Sequence, residues 1–94
     1  MNIQITSLEK VKIISIQGEL NTATSADAET KIHQLILGGN HHLIVDLGEL
    51  DYISSAGLRI FLSSNRLIKK SNGEIRFCNF NKTLGILPQQ LLLI

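Results

Sequence analysis

The side chains able to do chemistry are few, and two of them are adjacent. Ser54 and Ser55 sit inside the run Asp51-Tyr52-Ile53-Ser54-Ser55-Ala56-Gly57-Leu58. The run follows an apolar segment and precedes residues with helical spacing, so the serines stand at a strand-to-helix junction. A serine there is a natural N-cap, its oxygen accepting from a free backbone N–H of the first turn. The same place suits a phosphate, because a helix N-terminus offers unpaired N–H groups and the positive end of the dipole. Phosphorylation of a hydroxyl exposed there would add about −1.5 to −2 charges. A capping serine and a modification site are compatible roles.

Hydrolytic chemistry does not fit this junction. A nucleophile elbow needs G-x-S-x-G, and the position two before Ser55 is Ile53. No S-x-x-K begins at Ser54 or Ser55, where Gly57 and Leu58 hold the lysine position. His33 falls on the first helix, and His41 and His42 precede a strand, far from its C-terminal Asp46. Chemistry in open α/β sheets gathers at the strand carboxyl ends, so these bases are misplaced and no catalytic residue is assigned. Metal is not expected either: His41 and His42 are strand neighbours that point to opposite faces, and Cys78 is expected to be a buried thiol. Gly38-Gly39-Asn40 follows a helix instead of introducing one, which makes it a helix stop and not a phosphate loop.

Around the serines the pattern predicts one α/β domain over residues 1–94. Ile3–Ser7 alternates as a strand, Glu9-Lys10 turns, and Val11–Gln17 forms an antiparallel second strand ending at Gly18. A helix begins near Thr24, with Thr24-Ser25-Ala26-Asp27 spaced as a capping box and Ala28, Ile32, Leu35 and Ile36 as its buried stripe. Leu43–Leu47 reads as a buried strand. A second helix runs from about Ser55 to Lys70, with Leu58, Phe61, Leu62 and Ile68 on one face, and stops at Asn72-Gly73. Glu74–Phe80 makes a last strand before the tail. The order β-β-α-β-α-β predicts a mixed, mostly parallel sheet of about four strands with helices packed on it.

Composition narrows the function classes. Hydrophobic residues are 44% and charged residues 18%, which suits a packed core and argues against disorder. Nine basic and eight acidic residues are dispersed, so no basic face for nucleic acid forms; Arg66, Lys69 and Lys70 suit the end of a helix. The longest apolar run, Leu91–Ile94, is far short of a membrane span, no leader pattern is visible, and the single cysteine suits a reducing compartment. The expectation is a cytoplasmic protein with neither direct nucleic-acid contact nor membrane insertion.

Two stretches resemble the STAS domain family, of the anti-sigma factor antagonist kind. Gly18-Glu19-Leu20-Asn21 followed by Thr24 resembles its G-E-L-D-x-x-T segment. Asp46 to Leu58 resembles its D-L-S-x-L-x-x-I-D/S-S-S/T/A-G-L signature, and the resemblance covers roughly residues 3–82. It implies a right-handed βα superhelix and a non-enzymatic, protein-binding switch without cofactor. The serine two before the motif glycine, Ser55 here, is the implied phosphoacceptor. The implied partners are an anti-sigma factor that is also a serine kinase, bound in the unphosphorylated state so that a sigma factor is freed, and a phosphatase that resets the switch. Leu20, Asn21, Thr24, Ser54, Ala56, Gly57, Leu58 and Arg59 are the implied partner surface, with Ser63 and Arg66 beyond them on the second helix. The sequence departs from the family at Asn21, where aspartate is usual, and in a C-terminal part too short for the usual further helices. Apolar surface left uncovered there would favour weak self-association. The rival reading within the family is a structural subunit of a lipid-transport ABC-type complex.

Overall fold

A computed structural model describes residues 1–79 of the chain. The elements run β1 (Asn2–Leu8), β2 (Val11–Leu20), α1 (Thr22–Leu37), β3 (His42–Asp46), β4 (Leu50–Ile53), α2 (Ser55–Lys70) and β5 (Glu74–Cys78). The α/β class and mixed sheet expected from the sequence are present, with one strand more than expected. β1 and β2 form an antiparallel hairpin through Glu9-Lys10, where Glu9 takes φ 56°. β3 runs parallel to β2, and β5 parallel to β3, giving the order β1-β2-β3-β5.

The additional strand is β4, which pairs in parallel with the last residues of β2, Gly18 with Leu50 and Leu20 with Ile53. It has four residues, and its register with β2 shifts between Gly18 and Glu19. Gly18 takes φ 93°, a conformation that favours glycine, and this lets β2 continue past a bulge to Leu20. β2 is therefore three residues longer than its alternation suggested.

The core lies between one sheet face and the two helices. Ile14 and Ile16 of β2, Leu43 and Val45 of β3, and Ile75 of β5 meet Ala28, Ile32 and Ile36 of α1 and Ile60, Phe61 and Ile68 of α2. Phe61 lies 4.7 Å from Phe77, ring centre to ring centre, tilted by 39°. On α1 the buried face also takes Ser25, while Leu35 is half-buried. On α2 it is Gly57, Ile60, Phe61, Ser64 and Ile68, with Leu58 and Leu62 only half-buried, so the apolar face is rotated from the expected one. α2 ends at Ser71, followed by Asn72 at φ 61°. The expected extension of the last strand to Phe80 and the tail beyond it lie outside the described residues.

Ser64 is fully buried, and its hydroxyl has no hydrogen-bond partner among the described residues. An unpaired buried hydroxyl is destabilising, and alanine is the better helix former. Ser64→Ala should therefore raise stability by about 1 kcal/mol, or about 4–8 °C in Tm for a domain of this size. Thermal unfolding followed by circular dichroism measures it; a lower Tm would show that the hydroxyl has a partner.

Candidate functional site

The two helices begin side by side because the two strands feeding them end side by side. Leu20, the last residue of β2, pairs with Ile53, the last of β4. One residue later each chain segment caps a helix, Asn21 for α1 and Ser54 for α2. The backbone N–H of Ser54 donates to the carbonyl of Leu20 at 2.9 Å, which locks the junctions together.

Each cap is closed by its own side chain. Asn21 is extended, with φ −107° and ψ −174°, and its Oδ1 accepts from the N–H groups of Ala23 at 2.9 Å and Thr24 at 3.0 Å. Thr24 Oγ1 accepts from the Asn21 N–H and donates to the Glu19 carbonyl, both at 2.9 Å. The capping box is thus Asn21 with Thr24, and not Thr24 with Asp27. β2 leaves only Asn21 between itself and the helix, so Thr24 already occupies the third helical position. Asp27 falls outside the first turn and pairs with Lys31 at 3.3 Å. At the second junction Ser54 Oγ accepts from Gly57 N–H at 3.2 Å.

Of the two serines, Ser54 is therefore the cap and is half-buried. Ser55, the first helical residue of α2, is exposed. It opens a helix whose first-turn N–H groups lack intrahelical partners, and the paired strand ends bring the start of α1 to the same level. Neither helix carries an acidic residue in its first turn, so nothing intrinsic to the helices neutralises these positive dipole ends. The nearby strand residues Glu19 and Asp51 are exposed carboxylates, and Tyr52, opposite Glu19 in the ladder, is 48% exposed. All three lie within the motifs read from the sequence but were not assigned to the surface; a tyrosine inside the serine motif in a chain with 4% aromatics was the signal available.

Not every expected surface residue is at the surface. Leu20 is fully buried and Gly57 is buried, so neither presents a side chain to a partner. Thr24 is half-buried with its hydroxyl engaged in the cap. Asn21, Ala56 and Leu58 are half-buried, and Arg59 and Arg66 are exposed. Ser63 faces α1, with Oγ 3.3 Å from His33 Nε2 and 3.5 Å from Glu29 Oε2, and belongs to the helix–helix seam instead of the outer face of α2. His41 and His42 are exposed at the start of β3. Cys78 is half-buried, not fully buried; desolvation first, and the neighbouring Asp46 carboxylate second, push its thiol pKa up.

Gly57 explains why the motif needs glycine. A Cβ there would stand 2.7 Å from Ile53 Cγ1 and 3.0 Å from Leu20 Cγ and Cδ2. The first turn of α2 lies directly on the ends of β2 and β4, and any side chain would lift it. Gly57→Ala should destabilise the fold by about 1 kcal/mol net. Overpacking typically costs about 1–3 kcal/mol and outweighs the gain of about 0.5–1 kcal/mol from better helix propensity. Urea unfolding tests this; unchanged or greater stability would contradict the packing argument. Asn21→Asp should keep both accepted hydrogen bonds and change stability by no more than about 0.5 kcal/mol, whereas Asn21→Ala should lose about 0.5–2 kcal/mol. The same unfolding experiment separates the two.

The sequence model described as the STAS domain matches residues 2–91. BtrV of Bordetella bronchiseptica, a candidate anti-sigma factor antagonist, is 32% identical over 78 residues, which cover 83% of this chain and 67% of that protein. The anti-sigma F factor antagonist of Paenibacillus polymyxa is 30% identical over 84 residues, covering 86% and 72%. Among solved structures, the anti-sigma factor antagonist SpoIIAA shares the fold in both of its forms. Its unphosphorylated form aligns with a TM-score of 0.75 at 21% identity, covering 85% of this chain and 74% of that one. Its phosphorylated form aligns with a TM-score of 0.71 at 20% identity, covering 98% and 79%.

Proposed function

This chain belongs to the STAS domain family, and from that premise we propose that it is an anti-sigma factor antagonist switched by phosphorylation of Ser55. In this reading the unmodified protein binds an anti-sigma factor that is also a serine kinase, phosphate on Ser55 releases that partner, and a phosphatase resets the site. The names of the two relatives support the antagonist class. One observation carries the assignment of the serine: Ser54 supplies the cap, which leaves the Ser55 hydroxyl exposed at the start of α2 and uncommitted among the described residues.

Phosphate on Ser55 would meet free N–H groups and a helix dipole, which favour an anion there by about 0.3–1 kcal/mol at an exposed site. The fold has no reason to break. Partner binding is different, because a surface fitted to a neutral hydroxyl would bury the new charge. An unpaired charge buried at an interface costs about 2–5 kcal/mol, a loss of roughly thirty- to several-thousand-fold in affinity. The exposed carboxylates of Glu19 and Asp51 would add to the negative field that a phosphate on Ser55 creates.

Phosphorylation by the cognate kinase, read by mass spectrometry, should place one phosphate on Ser55. Ser54→Ala should lose about 0.5–2 kcal/mol of stability through the missing cap yet still accept phosphate. In calorimetric titrations with the anti-sigma factor, Ser55→Asp should keep the circular dichroism of the parent and bind at least about thirtyfold more weakly. Ser55→Ala should bind constitutively. Phosphate on Ser54 alone, or tight binding by folded Ser55→Asp, would defeat the assignment.

A further inference from the structure

We propose that the outer edge of β1 pairs with β1 of a second copy, two-fold and antiparallel, to join two sheets into one. β1 is an end strand of the sheet, and among the described residues nothing pairs with its outer side. Edge strands in monomeric proteins are ordinarily guarded by charge, proline, a bulge or short length. β1 has none of these: Asn2-Ile3-Gln4-Ile5-Thr6-Ser7-Leu8 is seven residues long, uncharged, and in unbroken register with β2 from Asn2 to Leu8. The opposite end strand is guarded, since β5 is five residues long and carries Glu74 and Arg76, exposed and paired at 2.8 Å. β4 is shorter still and carries Asp51.

The apolar side chains of β1 point to a second copy as the occupant. Ile3 and Ile5 lie opposite the fully buried Ile16 and Ile14 of β2, and so on the core face of the sheet. Ile3 is half-buried, but Ile5 remains 45% exposed because α1 packs over β2 and stops short of the edge. Leu8 is 63% exposed. An antiparallel pairing centred on Ile5 sets Ile5 against Ile5, Gln4 against Thr6, Ile3 against Ser7 and Asn2 against Leu8. Directly opposed residues share a face, so the two Ile5 side chains would cover each other on the helix side. No charge opposes a like charge within the seam, and the same patch serves both copies, as a two-fold interface requires. An edge without charge offers no selectivity for an acidic or basic strand, whereas self-pairing about Ile5 sets the exposed apolar side chain of each copy on that of the other.

Sedimentation velocity over a concentration series tests the pairing. The parent protein should move from monomer to dimer as concentration rises. Ile5→Lys and Ile5→Glu should each stay monomeric over the same range, with parental circular dichroism, because like charges would meet at the dyad. An equimolar mixture of the two should regain the dimer. Should either variant fold poorly, Gln4→Lys combined with Thr6→Lys, at exposed positions on the other face, should abolish the dimer in its place. A parent that stays monomeric throughout, a dimer that survives these variants, or folded charge-swapped partners that do not associate would overturn the proposal.

Discussion

The hydrogen bond from the Ser54 amide to the Leu20 carbonyl, with the parallel pairing of Leu20 and Ile53 behind it, determines most of what this domain presents to its surroundings. Two strands that end at one level must launch two helices at one level. The N-termini of α1 and α2 therefore emerge together. Gly57 follows from that constraint, since α2 can lie across Leu20 and Ile53 only if its first turn has no side chain on the inner side. The bulge at Gly18 follows as well: β2 must shift register to stay alongside β4 after leaving β3. Residues that look like a contact motif in the sequence, Leu20 and Gly57 among them, are packing that holds the two helix starts in place.

Ser54 caps α2 and Ser55 does not, so under the proposed switch the Ser55 hydroxyl could change charge without cost to the fold. Had Ser55 been the cap, a phosphate on it would have displaced the bond that closes α2. With Ser54 capping, a phosphate on Ser55 would add to the free amides and take nothing away. Asn21 makes the same economy at α1, where its amide oxygen accepts two N–H bonds as well as a carboxylate would. A neutral residue there leaves the N-terminal end of the α1 dipole without a compensating carboxylate. The family's more usual aspartate would spend part of that field on itself. Under the proposed switch, Asn21 would set the resting electrostatics of the junction, while the change of charge would occur at Ser55.

How far the sequence could be read depended on whether a feature was local. The β1–β2 hairpin, the buried strand at Leu43, the helix ending near Lys70 and the serine junction were all legible, because alternation, helical spacing and capping chemistry act over a few residues. β4 was not, since four residues with Leu50 buried, Asp51 and Tyr52 exposed and Ile53 half-buried show no period of two; its existence rests on pairing with a distant strand end. The start of α1 was placed late for a related reason. Thr24-Ser25-Ala26-Asp27 has valid box spacing, and only the full length of β2 makes Asn21 the cap. The burial of Leu20 and the turn of Ser63 toward His33 are tertiary facts. No window around either residue contains the helix it packs against.

The sheet separates its edge from its end, and this bears on how an assembly and a switch could coexist. β1 covers β2 from Val11 to Gln17, whereas β4 takes over at Gly18, beyond the last residue that β1 pairs. Lateral growth at β1 therefore leaves β4, Ser54 and Ser55 unpaired by the new strand. Because the pairing is antiparallel, the two copies would place their serine junctions at opposite ends of the seam, facing away from each other. Each junction would keep its own pair of helix termini and its own access for a kinase or phosphatase. Two charges introduced at such separated, solvent-exposed points are screened from one another once they lie more than about 8 Å apart at physiological salt. Phosphorylating one copy would then not impede the other, and the seam itself would not register the state of either serine.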